Sequence, residues 1–304
     1  MSKRFTGNLL LLLTAMIWGA AFVAQSVGMD YVEPFTFQAC RSLLGSLVLL
    51  PVIAVMDRRG NAKKPSNAAA RKHLLLSGLL CGLFLFTACS LQQLWIQYTT
   101  AGKSGFITSL YIILVPLLGL CMKKKVRAWI WGSVALALAG LYLLCGGDLS
   151  SIGKGELLTL GCALAFSFHI LFIDRVSAEV DGVRLSCIQF FVMAAISAVV
   201  MFSVEHPSLE NIARCWLPIA YAGILSCGVA YTLQIIGQAY TDPTVASLLM
   251  SLESVFSVVF GWLLLGQAMS ASELLGCGLV FSGVVLAQLP ERKQAARQAS
   301  CSNS

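Results

Sequence analysis

Between Leu9 and Val27 the chain carries no charged residue, and similar apolar runs recur from there to Gln288, each bounded by charge clusters, glycine or proline. This pattern predicts helices near residues 8–28, 35–56, 73–97, 102–122, 127–145, 155–173, 185–204, 215–239, 243–265 and 271–289. A block of about 20 apolar residues is the length that crosses the hydrocarbon core of a bilayer as a helix. Lipid offers backbone amides no partners, so each run must satisfy its own as a helix. The alternating short strands of a closed barrel are not the pattern here. The first run follows a basic end, as a signal peptide does, but it is longer than a signal core and is expected to stay as an uncleaved first span.

Composition agrees with lipid as the solvent. Of the 304 residues 58% are hydrophobic and 12% charged, with a mean hydropathy of +0.81, against about 25% charged in soluble domains. The net charge of +7 does not suggest nucleic acid, because the basic residues sit in short loops between apolar blocks. With the amino terminus in the cytoplasm, 17 of the 21 Lys and Arg fall on that side, and only Lys103, Lys154 and Arg214 on the other. Such a bias is how topology is written. It predicts an even number of spans with both termini cytoplasmic. The eleven cysteines lie mostly inside apolar blocks and read as free thiols, with no CxxC pair, and the dispersed His73, His169 and His206 suggest no metal.

The chain also repeats itself. GNLLLLLTAMIWGAAF from Gly7 aligns with GELLTLGCALAFSFHI from Gly155, pairing Ala15 with Ala163 and Trp18 with Phe166. Gln93 and Gln97 pair with Gln234 and Gln238, and Ser109-Leu110 with Ser251-Leu252. The expected architecture is an all-α polytopic membrane protein of ten transmembrane helices. One five-helix repeat occupies 1–146, a second 147–290, and a polar tail 291–304. Five is odd, so the second repeat enters the membrane from the opposite face, giving the inverted repeat typical of alternating access.

MIWGAAF (16–22), PFTFQACR (34–41), YTTAGKSGFITSLYIILVP (98–116) and PTVASLLMSLESVFSVVFGWLLLGQ (243–267) together resemble the drug/metabolite transporter superfamily, in its EamA-type ten-helix branch. Two details depart from the family pattern: Ser254 stands where proline is usual and Gln267 where glutamate is usual. The resemblance implies a carrier without ATP hydrolysis, mostly exporting amino acids or other metabolites. It implies a central cavity lined by spans 1, 3, 4, 6, 8 and 9, and makes Arg41 a family feature.

Polar groups at bilayer depth are the informative ones, since a charge at a helix centre costs about 2.5–3.5 kcal/mol on insertion scales. Glu253, near the middle of the ninth span, is read either as a cavity carboxylate that binds a cation or proton, or as a structural one. Arg41 is read as a structural or gating residue, with snorkelling as the alternative. His169 is read as a ligand contact or an interhelical hydrogen bond. Phe86, Ser90, Gln93 and Gln97 share one face of the third span, and Cys227, Tyr231, Gln234 and Gln238 the matching face of the eighth. These amides either line a cavity, where they would suit a zwitterion or heterocycle, or bond helices together. Trp18 and Phe22 share a face of the first span with Gln25, Phe166 repeats the aromatic in the sixth, and Tyr111 falls opposite Glu253 in the repeat alignment. The candidate binding set is therefore Trp18, Phe22, Gln93, Tyr111, Phe166, His169, Tyr231, Gln234 and Glu253. Pro116 and Pro243, with Gly102 and Gly105, mark starts, bends or gates.

AGKSG at 101–105 lacks the first glycine of a phosphate loop, and no hydrolase or dinucleotide motif occurs. The expectation is a secondary carrier in the inner membrane, not an enzyme, with no cofactor and no catalytic residue. Its partners are a small-molecule substrate and the lipid bilayer, with protons and a homodimer left open and no nucleic acid. A multidrug or cation efflux carrier is the alternative; an intramembrane enzyme is a distant one.

Overall fold

The computed structural model describes residues 3–60, 64–96, 104–105, 108–124, 126–144, 154–267 and 269–288, with the backbone alone for 154–160. Gln97, Gly102 and the tail 291–304 lie outside the described residues. Among the described residues there is no strand. Helix α1 spans Lys3–Gly28, α2 Pro34–Arg58, α3 Ala68–Ile96, α4 Tyr111–Cys121, α5 Ala128–Leu144, α6 Lys154–Val176 and α7 Gly182–Val204. A short α8, Leu209–Arg214, leads into a composite helix of α9 (Trp216–Ala220), a π-helical stretch (Tyr221–Ala230) and α10 (Tyr231–Gln238). Then come α11 (Pro243–Met250), α12 (Leu252–Leu265) and α13 (Ala271–Gln288).

Seven of these stretches are long and apolar enough to cross a membrane: α1, α2, α3, α7, Trp216–Gln238, Pro243–Leu265 and α13. Helices α4 and α5 are shorter and apolar. Side chains are sorted inversely to a soluble protein. Leu43, Leu47 and Leu50 on α2, Leu79, Leu80 and Leu83 on α3, and Leu274 and Leu275 on α13 point outward. Thr14, Gln38, Ser42, Ser46, Ser197 and Ser247 are fully or almost fully buried. Only a solvent that does not hydrogen-bond favours that arrangement. The chain is a multi-pass membrane protein.

The ends differ from the sequence reading in instructive ways. Helix α3 starts at Ala68, five residues before the apolar run, because Asn67 accepts a hydrogen bond at Oδ1 from the Ala70 amide (2.8 Å). Hydropathy cannot see that cap, since it operates outside the apolar stretch. At the start of α2, the Glu205 carboxylate accepts from the Phe35 amide, the Thr36 amide and the Thr36 hydroxyl, each at 2.7 Å. An acid from the α7–α8 connection thus caps a helix begun 170 residues earlier, where amides and dipole both favour negative charge.

Ion pairs gather the opposite ends. Asp57 at the close of α2 pairs with Arg184 at the opening of α7 and with Lys64, and Lys124 after α4 pairs with Asp174 near the end of α6. Helices α2, α4 and α6 therefore finish on one side of the molecule. The principal helix pairings are α2 with α7, α5 with α13, α1 with α12, α4 with α6, and α3 with both α6 and α7, while the composite helix packs on α1 and α2. Glycine makes the tightest of these approaches possible. A Cβ at Gly19 of α1 would lie 2.3 Å from Phe256 Cβ on α12, and one at Gly45 of α2 would lie 2.5 Å from Cys227 Cβ on the π stretch. Small residues are what let membrane helices approach so closely.

Candidate functional site

Helix α4 and the Pro243–Leu265 helix both tighten locally at the places the repeat alignment pairs, while the backbone stays in the right-handed helical region, with Leu110 at φ −59°, ψ −13° and Ser251 at φ −62°, ψ −14°. Residues 104–105 and 108 are helical, Ser109 and Leu110 form a turn, and α4 begins at Tyr111. In the ninth span Ser251 separates α11 from α12. Each turn is tightened by three-residue hydrogen bonds, Ile112 N–H to Ser109 O (3.0 Å) and Ser254 N–H to Ser251 O (3.1 Å). The two turns face one another. Ser109 Oγ and Ser254 Oγ are 2.6 Å apart, and the Tyr111 hydroxyl donates to Glu253 Oε1 at 2.9 Å. Glu253 thus sits in the first turn of α12, buried against α4. Gly105 lets the chains meet here: a Cβ on it would fall 2.9 Å from Ser257 Oγ and 3.2 Å from Ser254 Cα.

Glu253 and Tyr111 form one wall of a central cavity of about 30 Å³. That is room for a couple of waters and not for an organic solute, so the site is closed. Helix α1 supplies Trp18, Ala21, Phe22 and Gln25; α6 supplies Phe166 and Ile170. The composite helix contributes Ser226, Tyr231 and Gln234, and Arg41, Gln92 and Thr108 complete the lining. The aromatic wall is a packed set: the Trp18 and Tyr231 rings are 4.6 Å apart at 55°, and Phe190 stands edge-on to Tyr231 at 5.2 Å. Arg41, 3% exposed, donates from Nη1 to Gln25 Oε1 at 2.9 Å and lies 5.7 Å over the Phe37 ring. Its Nε has no partner, nor do Trp18 Nε1 and Gln234 Oε1. Among the described residues no ion pair joins Arg41 to Glu253.

Of the sequence-derived candidates, Trp18, Phe22, Tyr111, Phe166, Tyr231, Gln234 and Glu253 come together on this cavity, joined by Arg41. Gln93 and His169 do not. Gln93 donates to Met29 Sδ at 3.1 Å, and its neighbours on the same face also turn from the cavity. Ser90 accepts from Gln38 on α2 (2.9 Å) and Phe86 stacks on Phe35 (6.5 Å). Helix α3 reaches the cavity through the adjacent Gln92, which donates to Thr108 Oγ1 at 2.9 Å. His169 lies behind the aromatic wall, its Nε2 3.1 Å from Gln189 Oε1 and its ring 6.1 Å from that of Tyr231. Pro116 lies within α4, one turn after Ile112, and Pro243 opens α11 with Asp242 capping the Thr244 amide (2.9 Å).

Ser226 escaped the sequence reading for a geometric reason. The Tyr231 amide bonds to the Ser226 carbonyl, a five-residue π turn, so the two share a face that α-helical spacing would hold apart. Helix α1 fastens this stretch at both ends, through Tyr221 OH to Ile17 O and Thr14 Oγ1 to Ala230 O, each at 3.1 Å.

The EamA-like transporter family model matches residues 5–146 and 153–289. The chain belongs to the EamA-like transporter family. An uncharacterized transporter of Archaeoglobus fulgidus is 29% identical to it over 94% of this chain and 87% of that one. The uncharacterized inner membrane transporter YedA of Escherichia coli is 25% identical over 90% and 88%, respectively. A protein of known crystal structure has the same fold, with a TM-score of 0.77 at 22% identity over 96% of this chain and 99% of that one. The sequence resemblance to this family was therefore correct.

Proposed function

We propose that this EamA-like transporter is a secondary carrier that exports a small organic metabolite, such as an amino acid, across the cytoplasmic membrane by alternating access around the Tyr111–Glu253 cavity. Ten spans, arranged as two inverted five-helix repeats with both termini cytoplasmic, carry it. The observation that bears most weight is the meeting of Ser109 with Ser254 and of Tyr111 with Glu253 on one cavity, where α4 and the Pro243–Leu265 helix both tighten at positions the repeat alignment pairs. Transporters of inverted-repeat design bind solute at the interface of their two halves, where helices depart from regularity. The helix pairings support the same symmetry. Exchanging each of the first five spans with its counterpart in the second five turns the α1–α12 contact into the α4–α6 contact, and leaves α2–α7 and α5–α13 unchanged.

The closed cavity then represents an occluded stage. Opening to either side requires the two repeats to rock apart on one face, which the ion pairs at one end and the Glu205 cap at the other would resist in turn. Glu253 gives the cavity an acidic group able to take a solute cation or a proton, and Tyr111 orients it.

Counterflow in proteoliposomes tests the reading. Labelled amino acids, nucleobases and cationic dyes are offered to wild type and to Glu253→Gln, with and without a pH gradient. The expected result is accumulation of one solute class, reduced at least tenfold in the variant. Accumulation of dyes alone would favour a multidrug carrier. Failure of every solute to exchange through folded, reconstituted protein would refute the carrier.

A further inference from the structure

Arg41 is an odd residue to bury. A guanidinium with 3% exposure inside a membrane protein should be paired with a carboxylate or bonded at each N–H, because an uncompensated buried charge is costly. Here it donates to a neutral amide, Gln25 Oε1, at 2.9 Å, and among the described residues its charge otherwise meets the Cys89 side chain and the Phe37 ring, with no carboxylate. The Nε–H is buried and without a partner, although a carboxylate, Glu253, lines the same cavity. Among the described residues, Arg41 and the Glu253 carboxyl group therefore share the cavity without pairing with each other.

We infer that Arg41 is the anion subsite of this cavity, holding the carboxylate of a small zwitterionic solute whose cationic end faces Glu253. The inference rests on the reading of the cavity as the solute site. The fork of N–H groups on a guanidinium matches a carboxylate, and the unpartnered Nε is one such donor. Gln25, also on the lining, holds the group through Nη1 and leaves Nε without a partner. Among the described lining residues Arg41 is the only basic one, so the subsite they form balances a single negative charge; a phosphate dianion would carry an excess beside the Glu253 carboxyl group. At the other end, the Tyr111–Glu253 pair and the faces of Trp18 and Tyr231 suit an ammonium group.

The test uses matched pairs that differ in the carboxylate: glycine, leucine, glutamine and phenylalanine, each against its primary amide. Binding to the purified full-length protein in detergent is read by quenching of intrinsic tryptophan fluorescence, with Trp18 on the cavity. At least one acid should bind tenfold or more tighter than its amide. Arg41→Gln should reduce that preference to under twofold, and Arg41→Lys should keep part of it. Inorganic phosphate should compete weakly. The inference is overturned if acid and amide bind alike in every pair, if no acid binds folded wild type, or if Arg41→Gln keeps the preference. Should Arg41→Gln fail to fold, the wild-type contrast and Arg41→Lys still decide. Binding is measured without translocation. A protein that exchanges only solutes lacking a carboxylate would refute the Arg41 assignment and leave the carrier standing; one that binds the acids and exchanges nothing would do the reverse.

Discussion

The Tyr111 hydroxyl donates a hydrogen bond to the Glu253 side chain at 2.9 Å. Removing one partner from a buried polar pair costs about 1–3 kcal/mol, since the group left behind keeps its desolvation penalty. Tyr111→Phe should therefore weaken solute exchange about tenfold while leaving the fold intact, measured as initial rates of counterflow beside Phe202→Leu, a control at an outward-facing position. Unchanged exchange would mean that Glu253 needs no orienting partner. A second residue-level contrast sets Gln92 against its neighbour. Gln92→Leu should impair exchange severalfold, whereas Gln93→Leu, which loses only a contact to Met29, should change it less than twofold. Equal loss in both would contradict the placement of the cavity. Part of this scale was legible in sequence: Trp18, Phe22 and Gln25 on α1 and Tyr231 and Gln234 on α10 line the cavity as their spacing predicts, whereas Cys227 and Gln238 of the same predicted face do not. Spacing gives the members of a face but not its direction, and the Ser90–Gln38 bond that turns the α3 face toward α2 is a tertiary contact no periodicity records.

At the scale of elements, apolar run length located the membrane helices, since lipid allows little else. What it could not reveal were departures from helical regularity. The π stretch at Tyr221–Ala230 packs against α1 and α2, and the tightened turn at Ser251 falls within a run of apolar residues. Two predictions belong here. Gly19→Leu forces a side chain into a contact where a Cβ would already stand 2.3 Å from Phe256 Cβ. Overpacking of this kind costs about 1–3 kcal/mol, so the variant should lose several degrees of thermal stability in detergent, whereas Gly132→Leu, where nothing lies within 4 Å of the added Cβ, should not. Glu205→Ala removes three hydrogen bonds of 2.7 Å from the start of α2 and should cost about 2 kcal/mol by the strength of charge-assisted bonds at a helix end. Glu33→Ala, which gives up a single 3.2 Å bond to the exposed His206 amide, should cost far less. Equal melting shifts would mean that Glu205 does not anchor α2.

At the scale of the molecule, ordered matches between the halves predict a duplication, and the placement of lysine and arginine predicts its orientation. The helix contacts are compatible with that reading, since exchanging counterpart spans maps the α1–α12 contact onto the α4–α6 contact. A cavity this small, lined by buried residues such as Trp18, Arg41 and Tyr111, serves transport only if it opens to each side of the membrane in turn. Labelling Ser226→Cys, on the cavity lining, tests this most directly, in a background with the native cysteines replaced, using a membrane-impermeant maleimide on right-side-out and inside-out vesicles. The account predicts that the thiol reacts from both sides, and that a bound solute protects it from both. Reaction from one side only, or no protection by any exchanged solute, would contradict the claim that this cavity is the alternating site.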